Sequence, residues 1–285
     1  MIRLCAFSDE AGSSLQAQID ALHRNGIGLM EIRMVDGENI ANISAQRAKE
    51  IAEILKENQI QVWSIGSPLG KVSLGEDFDF EKVSAQCAHL CQLANILGAD
   101  KIRMFSFYDA YNKKEQVIDY LRRLVAQAAE YGVTLCHENE KSIYGDTLER
   151  VTELMRCVPG LKFIYDPANY LQSGEKAEDT LPALHGSTEY FHIKDVISAT
   201  QELVPAGYGD GAIATLIEMI QGDKVMTLEP HLMVFDGYAS FDPEAMKNKF
   251  QFSSNTEAFD AGVTALKALL KQQGYTERNG GFEKV

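Results

Sequence analysis

The sequence predicts a (β/α)8 barrel, an α/β fold, and three observations carry that reading. Eight short apolar or β-branched runs alternate with stretches of helical period. The alternation recurs about every 33 residues along the whole chain, the count and length of an eight-unit barrel. The glycine-rich phosphate turn of a doubly wound nucleotide-binding sheet is missing after the first run, where SDEAGS stands instead.

Taken in order, IRLCAF (2–7) is followed by SLQAQIDALHRNG, whose apolar residues repeat at helical spacing and whose Gly26 suits a helix C-terminus. GLMEIR (28–33) leads into AQRAKEIAEILKENQ, and IQVWSI (60–65) into KVSAQCAHLCQLANILG, closed by Gly98. DKIRMF (100–105) precedes KEQVIDYLRRLVAQAAEYG, closed by Gly132, and VTLCHE (133–138) precedes TLERVTELMRCVPG. KFIYD (162–166), YFHIKD (190–195) and KVMTLE (224–229) complete the eight.

With 285 residues, 45% hydrophobic and 24% charged, the chain can bury one large core, and a single domain over 1–285 is expected. The tail NGGFEKV, within about 276–285, is expected to be mobile. A net charge of −14 with no Lys/Arg run argues against nucleic acid as a partner and for a small ligand. Five scattered cysteines, an odd number, fit a reducing compartment, and MIRLCAFSDE has no signal-peptide pattern. No apolar run is long enough to span a bilayer, so no membrane partner is expected and the cytoplasm is the default location.

Barrel enzymes place their sites at the C-terminal ends of the strands, so what each strand ends with matters most. Side chains alternate between interior and helix layer. If Met30 and Ile32 meet helices, Glu31 and Arg33 point inward; Ile102 and Met104 outward puts Arg103 and Phe105 inward. The same test sends Glu138, Asp166, His192, Lys194 and Glu229 inward, with Thr227 below Glu229. Taken singly, each acid can be read as a strand-end residue paired with Arg33, Arg103 or Lys194. Glu138, Asp166, His192 and Glu229 at matching depth on four adjacent strands need a shared positive charge, because three close carboxylates repel. Oxygen-rich ligation with one nitrogen suits Mn²⁺, Mg²⁺, Co²⁺ or a catalytic Zn²⁺.

HENEKSIYGDT, YDPANY, FHIKD, PAGYGDG and TLEPH, preceded by SDE, EIR, GSPLGK and FSF, together resemble the xylose isomerase-like sugar phosphate isomerase/epimerase superfamily. The resemblance spans nearly the whole chain and rests on the order and spacing of the pieces. It implies one divalent metal, commonly Mn²⁺, on Glu138, Asp166, His192 and Glu229, with Glu138 and Glu229 also serving as acid and base, and homodimers or homotetramers. Two positions depart from the ketose 3-epimerases of this family. Asn169 replaces a substrate-contacting His three residues beyond the metal-binding Asp, and Ser198 replaces an Arg six residues after the metal-binding His.

The chemistry follows from the groups. A sugar with adjacent carbonyl and hydroxyl oxygens can chelate a divalent ion, which favours loss of the proton between them, and a nearby carboxylate can take that proton. Return to the same carbon from the far face gives an epimerase, return to the neighbouring carbon an aldose-ketose isomerase, and loss of a β-hydroxyl a dehydratase or lyase. The expected function is a metal-dependent sugar isomerase or epimerase on a free or phosphorylated carbohydrate or keto-polyol. The alternatives are the lyase and a non-catalytic sugar-binding barrel. A three-zinc endonuclease is disfavoured by six histidines and the negative charge.

Further substrate contacts are expected from Arg33, Lys71, Arg103, Asn169, Lys194 and His231, with charge balance for Asp9, Glu31 or the metal carboxylates as the competing role of the cations. GYGDG (207–211), ahead of a helix, is read as a connecting turn, with phosphate binding as the alternative. Cys87 and Cys91, flanking His89, read as buried small hydrophobes, and Cys5, Cys136 and Cys157 as core. Phe105, Phe107, Tyr108 and Tyr111 are candidates for a lid, a wall or a subunit contact, and the long connection 233–252 for a cover over the site.

Overall fold

The computed structural model describes residues 1–236, 238 and 245–284. Eight parallel strands form the expected closed barrel: β1 (Ile2–Ala6), β2 (Leu29–Ile32), β3 (Gln61–Ile65), β4 (Lys101–Met104), β5 (Thr134–Glu138), β6 (Lys162–Tyr165), β7 (Tyr190–Ile193) and β8 (Lys224–Leu228). Each lies inside one of the eight runs read from the sequence. β8 pairs with β1 from Ile2↔Lys224 to Ala6↔Leu228, and this parallel ladder closes the ring.

The outer layer holds α1 (Leu15–Arg24), α2 (Ala45–Glu57), α3 (Phe80–Leu97), α4 (Lys114–Glu130), α5 (Leu148–Cys157), the short α6 (Pro167–Gln172), α7 (Ala177–Leu184), α8 (Ile213–Met219) and α9 (Asn255–Gln272). Helix starts are set by side chains that accept otherwise orphaned backbone N–H groups: Ser14 for α1, Ser44 for α2, Thr147 for α5 and Ser254 for α9. Gly98 ends α3 with φ +74°, the left-handed geometry that favours glycine. Among the described residues no helix is long and apolar enough to cross a membrane.

Two apolar layers follow from strand parity. Met30, Ile32, Ile102 and Met104 join the large cluster shared with helix residues such as Leu90 and Leu121, as their alternation predicts. Cys5, Leu29, Cys136, Ile164, Tyr190 and Val225 form a separate cluster inside the barrel, with Trp63 packed against it. Arg3 and Lys101 lie over the Trp63 ring at 5.3 and 4.3 Å, placing cations beside the apolar plug. Higher in the same interior stand Glu31, Arg103, Glu138, Asp166, His192 and Glu229, all buried.

The tail does not hang free as expected. β9 (Tyr275–Arg278) and β10 (Gly281–Lys284) form an antiparallel hairpin, and β10 adds to β1 at Ile2↔Phe282. Its two turn residues, Asn279 and Gly280, have φ of +51° and +73°, the conformation Asn-Gly favours in a two-residue hairpin. Phe282 and Tyr275 are buried, so apolar contact and strand pairing outweigh the entropy of a loose end.

Candidate metal centre and active site

Adjacent strand ends bring the four predicted ligands together. One donor atom each from Glu138, Asp166, His192 and Glu229 lies within 4.8 Å of the other three, and all four residues are buried. Local sequence explains the aim of each. Asp166, followed by Pro167 at the first helical position, is the N-cap of α6 and accepts the Asn169 N–H at 3.0 Å through Oδ1. Asn139, directly after β5, donates through Nδ2 to the Asp166 carbonyl and accepts the Asp166 N–H through Oδ1, both at 2.9 Å. That two-bond bridge sets the spacing of Glu138 and Asp166. Asn139→Ala is expected to cost about 2–3 kcal/mol, because two buried backbone groups lose partners, and thermal unfolding monitored by circular dichroism measures it.

Every ligand carboxylate is also met by a cation. Arg103 Nη1 donates to Glu138 Oε2 at 3.1 Å, Arg33 Nη1 to Glu229 Oε1 at 2.8 Å, and Lys194 Nζ lies 2.9 Å from Asp166 Oδ2. His192 Nδ1 is 2.9 Å from Glu138 Oε1 and 3.5 Å from Glu229 Oε2. Burial pushes the Glu138 carboxyl up, but His192 and Arg103 outweigh it and hold its pKa down to about 2. Burial dominates at Asp166 and lifts it to about 7 against the pull of Lys194. Burial lowers the His192 pKa, yet Glu138 and Glu31 outweigh it and raise it to about 10. Burial likewise opposes ionisation of Glu229, while Lys194 and His231 keep it well below the usual carboxylate range.

The donor set fits a divalent cation. In this structure the imidazolium of His192 supplies part of the positive charge that three buried carboxylates require. Glu229 Oε2 is buried without a hydrogen bond, and Asp166 Oδ2 meets Lys194 only as an ion pair outside hydrogen-bond geometry. Buried oxygens left so are what an ion would satisfy. Three oxygens and one nitrogen suit Mn²⁺, Mg²⁺, Co²⁺ or Zn²⁺.

A cavity of about 260 Å³ reaches the cluster at Glu229. Lys71, Arg103, Asn169, Lys194, Glu229 and His231 all line it, so five of the six expected substrate contacts face the space where a ligand would sit. Arg33 does not. It is spent on carboxylates, with Nε and Nη2 on Asp9 at 2.8 and 3.0 Å and Nη1 on Glu229, which makes it the charge partner that orients Glu229. Asn169 has a second engagement, donating from Nδ2 to Glu138 Oε1 at 3.3 Å, and Lys71 pairs with Glu140 at 2.8 Å. His231 has φ +47°, a strained value held by two bonds: its N–H donates to Glu10 Oε2 at 2.8 Å and its carbonyl accepts from Asn248 at 2.7 Å.

The glycine loop is not a phosphate cradle. The N–H groups of Val196, Gly207, Gly209 and Gly211 donate to the Asp195 carboxylate at 3.0, 2.8, 3.1 and 2.9 Å, so the anion in that nest is the protein's own. A Cβ on Gly209 would sit 2.4 Å from Asp195 Oδ1, which fixes glycine there. Asp195→Ala is expected to lower stability by about 3 kcal/mol and to raise amide exchange in 205–211, read by hydrogen-exchange mass spectrometry. Of the aromatic group after β4, Phe105 and Phe107 do not form a lid. Phe105 and Phe107 are fully buried, and Phe107 packs edge-on to Phe78 and Tyr120 in the helix layer, while Tyr111 is half exposed beside Asp146. Of the expected cover over 233–252, residues 237 and 239–244 lie outside the described residues; Tyr238 and Met246 line the cavity. Cys5, Cys87, Cys91 and Cys136 are buried as expected, and Cys157 is half-buried against the core.

Sequence reasoning missed one buried group around the centre, Asn139, and named Asp9 and Glu31 only as charge partners of the cations. Parity turned Glu31 inward without pointing to Tyr190 and His192 as its partners, and only the position of Asn139 directly after β5 hinted at a bridge.

Comparison with solved structures returns the same fold. The probable 3-DHS dehydratase AsbF of Bacillus anthracis, involved in petrobactin synthesis, superposes with a TM-score of 0.71 at 20% identity, covering 94% of this chain and 99% of that one. The IOLI protein with a binding zinc atom gives 0.72 at 18%, over 95% and 99%. A D-allulose 3-epimerase from Methylomonas sp. gives 0.72 at 14%, over 95% and 98%. Comparison with curated protein sequences gives no significant match. Residues 19–274 match the family described as xylose isomerase-like TIM barrel, and the chain belongs to that family.

Proposed function

We propose that this protein is a divalent-metal-dependent isomerase or epimerase of a small carbohydrate, moving a proton at a carbon next to a carbonyl. The observation that carries the reading is the convergence of Glu138, Asp166, His192 and Glu229, the last of which lines a cavity together with Lys71, Arg103 and Lys194. Its volume of about 260 Å³ suits a small metabolite.

Glu138, Asp166, His192 and Glu229 would hold the ion, with Mn²⁺ the first candidate. When bound, a divalent ion polarises the carbonyl and so acidifies the neighbouring C–H. That help is needed, because a carboxylate hydrogen-bonded by the Arg103 guanidinium is a weak base. Glu138 and Glu229 are the proposed acid–base pair, one taking the proton and the other returning one. Arg103 and Arg33 fix their orientations, and Lys194, Asn169 and His231 hold hydroxyl groups of the substrate. A lyase acting on the same ion is the second reading. Asn169 and Ser198 stand at the two positions that depart from the ketose 3-epimerases, and a probable dehydratase is among the proteins that share this fold.

Incubating the Mn²⁺-loaded protein in D₂O with free and phosphorylated ketoses and keto-polyols tests the reading by NMR. Deuterium at a carbon next to the carbonyl, abolished by EDTA, is the expected result, and the product separates epimer, isomer and dehydrated compound. No exchange with any of these compounds, despite tight metal binding, would favour a barrel that binds sugar without turnover.

A further inference from the structure

The barrel interior holds a carboxylate that the proposed acid–base steps do not use. Glu31, from β2, is 1% exposed, between the apolar plug below and the ligand cluster above. A buried carboxylate costs several kcal/mol unless strongly partnered, so its partners indicate its role. Tyr190 Oη donates to Glu31 Oε1 at 2.8 Å and lies 3.2 Å from Ser64 Oγ, which fixes the carboxylate from β7 and β3. The other oxygen, Oε2, is 3.1 Å from His192 Nε2.

The geometry of His192 gives that contact its meaning. Nδ1 faces the ligand cluster, 2.9 Å from Glu138 Oε1, while Nε2 faces Glu31. Both ring nitrogens face carboxylates and both carry hydrogens in the metal-free protein; Nδ1, which lies in the ligand cluster, is the one that would give up its hydrogen to an ion, while Nε2 keeps its own against Glu31. Phe7 and Tyr190 pack edge-on to the ring at 5.2 and 5.5 Å and restrict its rotation.

We infer that Glu31, oriented by Tyr190, is a positioning residue of the metal centre: it fixes the tautomer and ring orientation in which His192 presents Nδ1 to a divalent ion. The inference rests on the proposed metal centre and concerns only how the chain binds the ion. Carboxylate–histidine–metal arrangements raise ligand basicity as well as orienting the ring.

The test titrates metal-free wild type, Glu31→Gln and Tyr190→Phe with Co²⁺, reading affinity by calorimetry and ligand geometry by visible absorption, with far-UV circular dichroism as the fold control. Glutamine keeps the shape and an acceptor but removes the charge. Affinity is expected to fall about 10–100-fold in Glu31→Gln, with an altered Co²⁺ spectrum. Tyr190→Phe, which keeps the carboxylate and loses only its O–H donor, is expected to lose about fivefold. A folded Glu31→Gln with wild-type affinity and spectrum overturns the inference. Should that variant not fold, Tyr190→Phe decides, and an unchanged affinity overturns it. Wild type that takes up no Co²⁺ overturns the metal centre itself, and the inference with it.

Discussion

Replacing Glu138 by Gln is expected to lower the rate of solvent-proton exchange into substrate about a thousandfold or more while the barrel still forms. Volume is conserved, so no cavity opens, but both oxygens have fixed work. Oε1 meets His192 Nδ1 at 2.9 Å and Asn169 Nδ2 at 3.3 Å, and Oε2 accepts from Arg103 at 3.1 Å. An amide offers one acceptor and one donor, so its NH₂ must face either Arg103 or the pair His192 and Asn169, donor against donor. Either way a buried cation loses a charged partner, which costs about 3–5 kcal/mol and lowers the melting temperature without removing the core. The ion would lose a negative ligand, and the proton its acceptor. Exchange kinetics, metal affinity by calorimetry and the far-UV spectrum separate the three effects. Near-wild-type exchange in a folded variant would take Glu138 out of both the ligand set and the acid–base pair.

The part of this site legible in the sequence is the part that one strand determines. Eight runs located eight strands, and alternation within each run turned Glu31, Arg33, Arg103, Glu138, Asp166, His192 and Glu229 inward. What an inward side chain meets depends on residues far along the chain. Arg33 and Glu229 are 196 positions apart, and the sequence leaves Arg33 open between charge balance for Asp9 or the metal carboxylates and substrate contact; the structure pairs it with Asp9 and Glu229. Asp195 is the same case at shorter range, since GYGDG reads as a connecting turn and nothing local shows that its N–H groups hold the Asp195 carboxylate. The C-terminal hairpin was legible: Asn279-Gly280 is a strong turn signal, but position at the chain end argued for disorder.

Removing the divalent ion is expected to abolish exchange and to leave a protein whose stability falls as pH rises above neutrality. The sign follows from His192. Its pKa is raised from 6.5 to about 10, so the folded state binds the proton more tightly than the unfolded chain does. That contribution is fully present below the unfolded value and is lost as pH climbs through about 10; its size is on the order of a few kcal/mol. Asp166, raised to about 7, acts in the same direction up to that pH, because ionising it in the folded state is costly. On the acid side Glu138, held low against burial by His192 and Arg103, opposes Asp166, and so does His137. Burial lowers it to about 3, so stability rises with pH from there to about 6.5, and the clean window lies above neutrality. A bound ion removes the trend, since it takes His192 as a neutral ligand and supplies the positive charge itself. The rise in melting temperature on adding Mn²⁺ is therefore expected to be larger at about pH 8.5 than at about pH 6, measured by scanning calorimetry at fixed free metal. A metal-induced shift that stays flat or shrinks over that interval would mean that His192 does not exchange its proton for the ion, and would remove it from the ligand set.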